Sequence, residues 1–213
     1  MDLNLVTILG IGFVLGIKHS IEPDHVIAVS TMASKTKKLW STSLTGIFWG
    51  IGHTATLFIV GLLLIGFKVA LSEKWALTLE MLVGFMLVYL GIKAILSRTT
   101  PIHEHRSEKQ TYFKSAVIGF IHGLAGSSAM VLLTMNTIDT LWQGAVYIII
   151  FGIGTCIGMM LFTSLLGIPF NAAKDRLLIH KNLVQLTGGI STVFGIFYIY
   201  NLGFTEGLFA LWF

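Results

Sequence analysis

Long apolar stretches alternate with short charged ones along the whole chain. Reading for apolar runs bounded by charge predicts helices near Leu3 to Ala33, Ser41 to Phe67, Trp75 to Leu96, Ser115 to Met135, Trp142 to Ile168 and Leu183 to Leu202. A hydrocarbon core about 30 Å thick takes roughly 20 mostly apolar residues per helical span, so each run can cross a bilayer. The pattern predicts an all-α, polytopic membrane protein of about six transmembrane helices, built as one membrane domain over residues 1–213.

The first run is too long for one straight rod. From residue 3 to residue 33 an unbroken helix would extend about 46 Å at 1.5 Å per residue, half as much again as the hydrocarbon core. Pro23 lacks an amide donor and disfavours helix at Glu22 before it, so the break is expected near Pro23, within Ile21 to Asp24.

Landmarks in the first three spans recur in order in the last three. Gly12-Phe13-Val14-Leu15-Gly16 matches Gly119-Phe120-Ile121-His122-Gly123, and each leads to a Thr-Met pair, Thr31-Met32 and Thr134-Met135. Gly50-Ile51-Gly52 matches Gly152-Ile153-Gly154, while Gly84 and Gly91-Ile92 match Gly188 and Gly195-Ile196. Three spans is an odd number, so a second copy enters the membrane upside down. The expectation is a 3+3 inverted repeat, with repeat one about 3–97, a cytoplasmic loop about 98–114 and repeat two about 115–203. The plainer alternative is that glycines recur because membrane helices use them for close packing.

Charge adds an orientation. Lys35, Lys37 and Lys38 follow the first span, Arg98, Arg106, Lys109 and Lys114 the third, and Lys174, Arg176 and Lys181 the fifth. The loop from Asn136 to Leu141 has no basic residue, and only Lys68 and Lys74 lie by the second. The positive-inside rule makes the odd loops cytoplasmic and puts both termini outside the cytoplasmic membrane. Met1-Asp2-Leu3-Asn4 is not the basic start of a cleaved secretory signal, so the N-terminus is expected to be retained. Of the residues, 54% are hydrophobic and 11% charged, which excludes an ordinary soluble domain with about a quarter charged. The formal net charge of +4 comes from loop lysines and arginines, so the partner it implies is the lipid bilayer and not nucleic acid. Cys156 is the single cysteine and cannot close an intrachain disulfide.

Polar chemistry is concentrated at the break. Lys18-His19-Ser20-Ile21-Glu22-Pro23-Asp24-His25 places two imidazoles and two carboxylates in an otherwise apolar region. Ionisable groups at membrane depth face cavities or pathways, whereas a polar surface loop joining two short helices is the alternative. On a regular helix His19 and His25 would be about 600° apart and could not chelate one ion. An unwound turn at Pro23 lets His19, Asp24 and His25 converge, with freed backbone groups lining a cavity. Imidazole suits zinc, copper, iron and nickel, and a planar nitrogen-rich set favours nickel or copper. His53, between Gly52 and Thr54 in the second span, is read as a further ligand, against a packing role between helices. Glu22 and His122 are pathway candidates, His122 as a second gate.

These residues resemble the nickel and cobalt transporter family, whose early membrane helix carries a His-x4-Asp-His signature. His19, Asp24 and His25 fit that spacing, Lys18 and Ser20 fit its flanks, and Gly52-His53-Thr54 is similar to the family's second motif. Glu22 and Pro23 stand where an acidic-alanine pair is usual, and the later acidic motifs of larger members are missing. The stretch from His122 to Ser128 looks like the shorter bacterial branch, which includes membrane proteins linked with urease maturation. The resemblance implies a transporter and not an enzyme, taking up nickel, or cobalt, as substrate with no cofactor. It also implies metal recognition by His19, Asp24, His25 and His53, and metal-enzyme maturation proteins as downstream partners.

The competing readings are efflux by the same fold and an intramembrane metalloenzyme. The latter is weakened by the absence of His-Glu-x2-His, and no Gly-x4-Gly-Lys-Ser/Thr loop is present for nucleotide hydrolysis. His103-Glu104-His105 reads as a solvated face. Glu80 is expected to pair with a neighbouring helix or line the pathway, and Lys93 to snorkel. Trp40, Trp75 and Trp142 read as interface anchors. Met81, Met86, Met159 and Met160 read as packing.

Overall fold

A computed structural model describes residues 3–34, 38–69, 71–97, 108–135 and 140–212. His103, Glu104 and His105 lie outside the described residues, as do Lys35, Lys37, Arg98, Arg106 and most of the loop after Met135. The described residues are helical nearly throughout: α1 (Leu3–His19), α2 (Pro23–Ala33), α3 (Leu39–Phe67), α4 (Glu73–Ile95), α5 (Glu108–Met135), α6 (Leu141–Ala172) and α7 (Leu177–Tyr200). A π-helical turn (Asn201–Thr205) and a short α8 (Leu208–Trp212) follow.

Among the described residues four helices, α3, α4, α6 and α7 continued through Thr205, are long and apolar enough to cross a membrane, and α1 with α2, bent by 57° at their break, pass the same test together as a broken span or a re-entrant loop. The chain is therefore a multi-pass, all-α membrane protein. The break lies slightly before the expected place, over Ser20 to Glu22, and Pro23 begins α2 rather than interrupting it. The reason is local. Glu22 takes the extended conformation favoured before proline (φ −59°, ψ 143°), and the fixed φ of Pro23 suits a first helical position whose amide has no partner anyway.

Four helix pairings organise the bundle: α3 with α5, α3 with α6, α4 with α7, and α1 with α6. Small residues permit the close approach. A Cβ on Gly123 of α5 would lie 2.6 Å from the carbonyl oxygen of His53 on α3, so any other residue would force the two helices apart. Buried hydroxyls add cross-helix bonds: Ser115 donates to the Thr45 carbonyl at 2.7 Å, Thr56 to Phe120 at 2.7 Å and Ser191 to Leu87 at 2.9 Å. Such bonds contribute about 0.6 kcal/mol each in membranes, so packing supplies the larger share.

Trp49, Val83, Leu87, Val29 and Met159 form one buried core cluster, and Leu57, Tyr147, Ile148 and Phe151 a second. Large apolar side chains such as Phe67, Leu178 and Val193 lie on the outer surface. That distribution would be a liability in water and is what a lipid-facing surface requires. Trp40, Trp75 and Trp142 are exposed in the first turns of α3, α4 and α6. After Gly207 (φ 79°) α8 folds back on α4, where the Trp212 indole donates to Thr78 at 3.1 Å and Lys74 sits 3.6 Å over its ring.

Candidate metal centre

The break gathers polar side chains because it ends one helix and begins another at one place in the bundle. His19 is the last residue of α1, and Asp24 and His25 lie in the first turn of α2. The straight middle of α3 supplies His53 and that of α5 supplies His122. Gly126 leaves room beside the cluster, since a Cβ there would meet His19 Nε2 at 3.4 Å.

All four predicted ligands are brought together, and His122 joins them. His19 Nε2 faces His53 Nε2 at 3.1 Å. His25 Nδ1 lies 3.2 Å from one oxygen of Asp24, and His122 Nε2 lies 2.9 Å from the other. The ring centre of His25 is 4.4 Å from that of His19, 5.2 Å from His53 and 4.0 Å from His122. His25, His53 and His122 are each 1% exposed or less, while Glu22, bonded to His19 Nδ1 at 2.9 Å, is half exposed.

The bonds settle which nitrogens offer lone pairs. A carboxylate only accepts, so neutral His25 and His122 donate through Nδ1–H and Nε2–H to Asp24, and His19 donates through Nδ1–H to Glu22. Each ring is left with its other nitrogen unprotonated. His25 Nε2, His53 Nδ1 and His122 Nδ1 are buried with no hydrogen-bond partner. Buried polar atoms are rarely left so; in His25 and His122 the unpartnered atom is a lone pair that a cation would satisfy, whereas His53 turns Nε2, and not Nδ1, to His19. First-row ions bind imidazole nitrogen at about 2.0–2.1 Å, which places adjacent donors about 2.9–3.4 Å apart. The 3.1 Å between His19 and His53 fits one shared ion. Two sets of ligand atoms, each within 4.8 Å of one another, result: His19, His25 and His53, and Asp24, His25 and His122.

A cavity of about 430 Å³ adjoins the cluster and is lined by Lys18, Glu22, Glu80 and Tyr198 as well as Asp24 and His122. Glu80 both pairs and lines, accepting from the Tyr198 hydroxyl at 3.3 Å. Sequence reasoning missed Tyr198. A tyrosine in an apolar span gives no sign of facing a carboxylate more than a hundred residues away.

A bent span with buried imidazoles and carboxylates at its joint, inside a multi-pass bundle, defines a membrane protein that handles a soft to borderline cation. Comparison with known proteins agrees. The family described as High-affinity nickel-transport protein matches residues 5–100. A urease accessory protein of Bacillus sp. (strain TB-90), UreH, is 55% identical over 99% of this chain and 98% of its own. A putative nickel/cobalt efflux system of Methanocaldococcus jannaschii is 30% identical over 88% of this chain and 89% of its own. A chloroplast protein of Arabidopsis thaliana, FOR GROWTH AND FERTILITY 1, is 26% identical, with this chain spanning about half its length. No solved structure matches. The chain belongs to the nickel-transport family.

Proposed function

We propose that this chain is a secondary transporter that takes nickel, or cobalt, across the cytoplasmic membrane, with the ion held by the imidazole cluster centred on His25. The observation that carries the reading is the convergence of His19, His25, His53 and His122 at a broken span, with three of their ring nitrogens buried and unpartnered. Asp24 orients two of the rings. A divalent ion entering a negative-inside cell gains about 4.6 kcal/mol per 100 mV, from about 2.3 per charge. That sustains an accumulation of about a thousandfold or more without nucleotide hydrolysis.

Six spans, an inverted repeat and outward termini belong to the same proposal, with α5 as the sixth span. The pairings support it, since exchanging α1 with α5 and α3 with α6 turns α1 on α6 into α5 on α3. Gly16 lies against the Phe151 carbonyl oxygen and Gly119 against that of Trp49. That equivalence sets Gly16-x-x-His19 beside Gly119-x-x-His122, one helical turn from the alignment that matches Gly12 with Gly119. The similarity to a urease accessory protein supports delivery of the ion towards metal-enzyme maturation proteins.

Uptake of radioactive nickel by the purified chain in sealed liposomes, with an imposed potential, tests the reading. Accumulation driven by a negative interior, abolished by His25→Ala at equal protein abundance, is expected. Wild-type uptake by that variant would sink the site. Efflux is the second reading, favoured by the efflux system among the relatives. Cells expressing the chain would then be emptied of nickel rather than loaded.

A further inference from the structure

We propose that the cluster offers the ion two successive positions that share His25. One is a cavity-side position of Asp24, His25 and His122, and the other an inner, all-imidazole position of His19, His25 and His53. The proposal rests on the nickel reading above and divides its site in two.

The first support is reach. Donors on one first-row ion, each about 2.0–2.1 Å from it, are at most about 4.2 Å apart. The ligand atoms of the five side chains form two compact sets, each within 4.8 Å of one another, that overlap only at His25. His25 stands between the sets, with one nitrogen towards Asp24 and the other buried and unpartnered.

The second is placement. Asp24, His25 and His122 all line the cavity, beside the carboxylates of Glu22 and Glu80, and His19 lines it as well. His53, fully buried, is absent from the described residues that line it. A hydrated ion arriving through the cavity can therefore reach all three ligands of the first position, but only His19 and His25 of the second, before it meets His53.

The third is chemistry. Carboxylate oxygen accepts hard ions such as magnesium and manganese, whereas a set made only of imidazoles selects nickel, copper and zinc. The negative charge of Asp24 compensates for water lost at the first position without choosing strongly among divalent ions. Exchange of Asp24 and His122 for His19 and His53, with the His25 ring changing from Nδ1 to Nε2 as ligand and its proton moving from Nε2 to Nδ1 towards Asp24, then passes the ion to a neutral set that does choose. At no stage is the ion without a protein ligand, and the discrimination comes at the second position.

The test uses the full chain, purified and reconstituted, with nickel and manganese as probes. X-ray absorption counts the imidazoles on bound nickel, equilibrium dialysis gives the nickel-over-manganese preference, and liposomes give the uptake rate. His122→Ala should keep the wild-type imidazole count and a nickel affinity within about threefold, yet slow uptake by about tenfold or more, since its ring serves only the first position. His53→Ala should still bind nickel, now with carboxylate oxygen in the shell, and lose at least about tenfold of the preference over manganese. Loss of one imidazole from the nickel shell in His122→Ala would mean a single site and overturn the proposal, as would an unchanged metal preference in His53→Ala. The glutamine variants, His122→Gln and His53→Gln, read the same quantities should an alanine variant fail to fold. Wild-type binding by His25→Ala would instead overturn the nickel centre itself, and with it both positions.

Discussion

His19 and His53 face each other Nε2 to Nε2 at 3.1 Å, although one ends a helix and the other lies in the middle of the next long one. Two nitrogens at that separation must share either a proton or a metal ion. A proton is therefore the ion's natural competitor, and nickel binding should weaken as pH falls. The sign follows from each imidazole having to be neutral to coordinate. Affinity is expected to drop by up to about tenfold per pH unit for each ring that protonates. Nickel titrations from pH 8 down to the lowest pH at which the chain stays folded check this, and a flat profile throughout would show that the rings are not ligands.

The bond from His19 to Glu22 fixes that ring from behind. Removing it in Glu22→Ala should lower nickel affinity by about 10 to 100-fold, the usual effect of losing a group that orients a ligand. Glu22→Gln, which keeps an acceptor, should lose less. Because Glu22 is half exposed, thermal unfolding should hardly change. A loss of stability equal to the loss of affinity would point to a structural role.

Packing next to His53 gives a different prediction. Gly123→Val would put a Cβ 2.6 Å from the His53 carbonyl oxygen and 2.9 Å from Thr56 Cβ, so α5 must move away from α3. Overpacking of this kind costs about 1–3 kcal/mol, and His53 should be displaced from the cluster with it. Lower thermal stability and weaker nickel binding should appear together. Gly189→Ala on α7 is the control: nothing lies within 4 Å of the added carbon, and a helix interior prefers alanine by roughly 0.5–1 kcal/mol.

Orientation can be read by labelling. In a Cys156→Ala background, Ser72→Cys, between α3 and α4, should react with a membrane-impermeant thiol reagent in intact cells. Lys174→Cys, between α6 and α7, should react only after permeabilisation. The reverse pattern would place the termini in the cytoplasm.

Much of this site was legible from the chain because it is local. Pro23 announced a break, and the length of the first apolar run required one. That break is what lets His19 and His25 point the same way. The exact residues differed because proline is better suited to starting a helix than to interrupting one, which moves the unwound turn to Ser20 through Glu22. The bond from His122 to Asp24 was beyond sequence reasoning, as it joins groups 98 positions apart and depends on how α5 crosses the bundle. The same holds for Tyr198 and Glu80, whose spans carry no polar pattern that could fix their rotation. Span counting was clearest where apolar runs are pure. It is less so for α5, whose first turns carry Glu108 and Lys109 and whose middle is rich in glycine and serine.

The joint at Ser20 to Glu22 has a mechanical consequence. Since His19, His25 and His53 come from α1, α2 and α3, an ion seated on them ties three rods into one body, much as a bolt does. Release requires at least one rod to withdraw, and every tenfold gain in affinity adds about 1.4 kcal/mol to what that withdrawal must overcome. Tight capture and rapid turnover are therefore in direct opposition in this protein. The break beside His19 is the place where the opposition can be relieved, because bending there parts the ligand of α1 from those of α2.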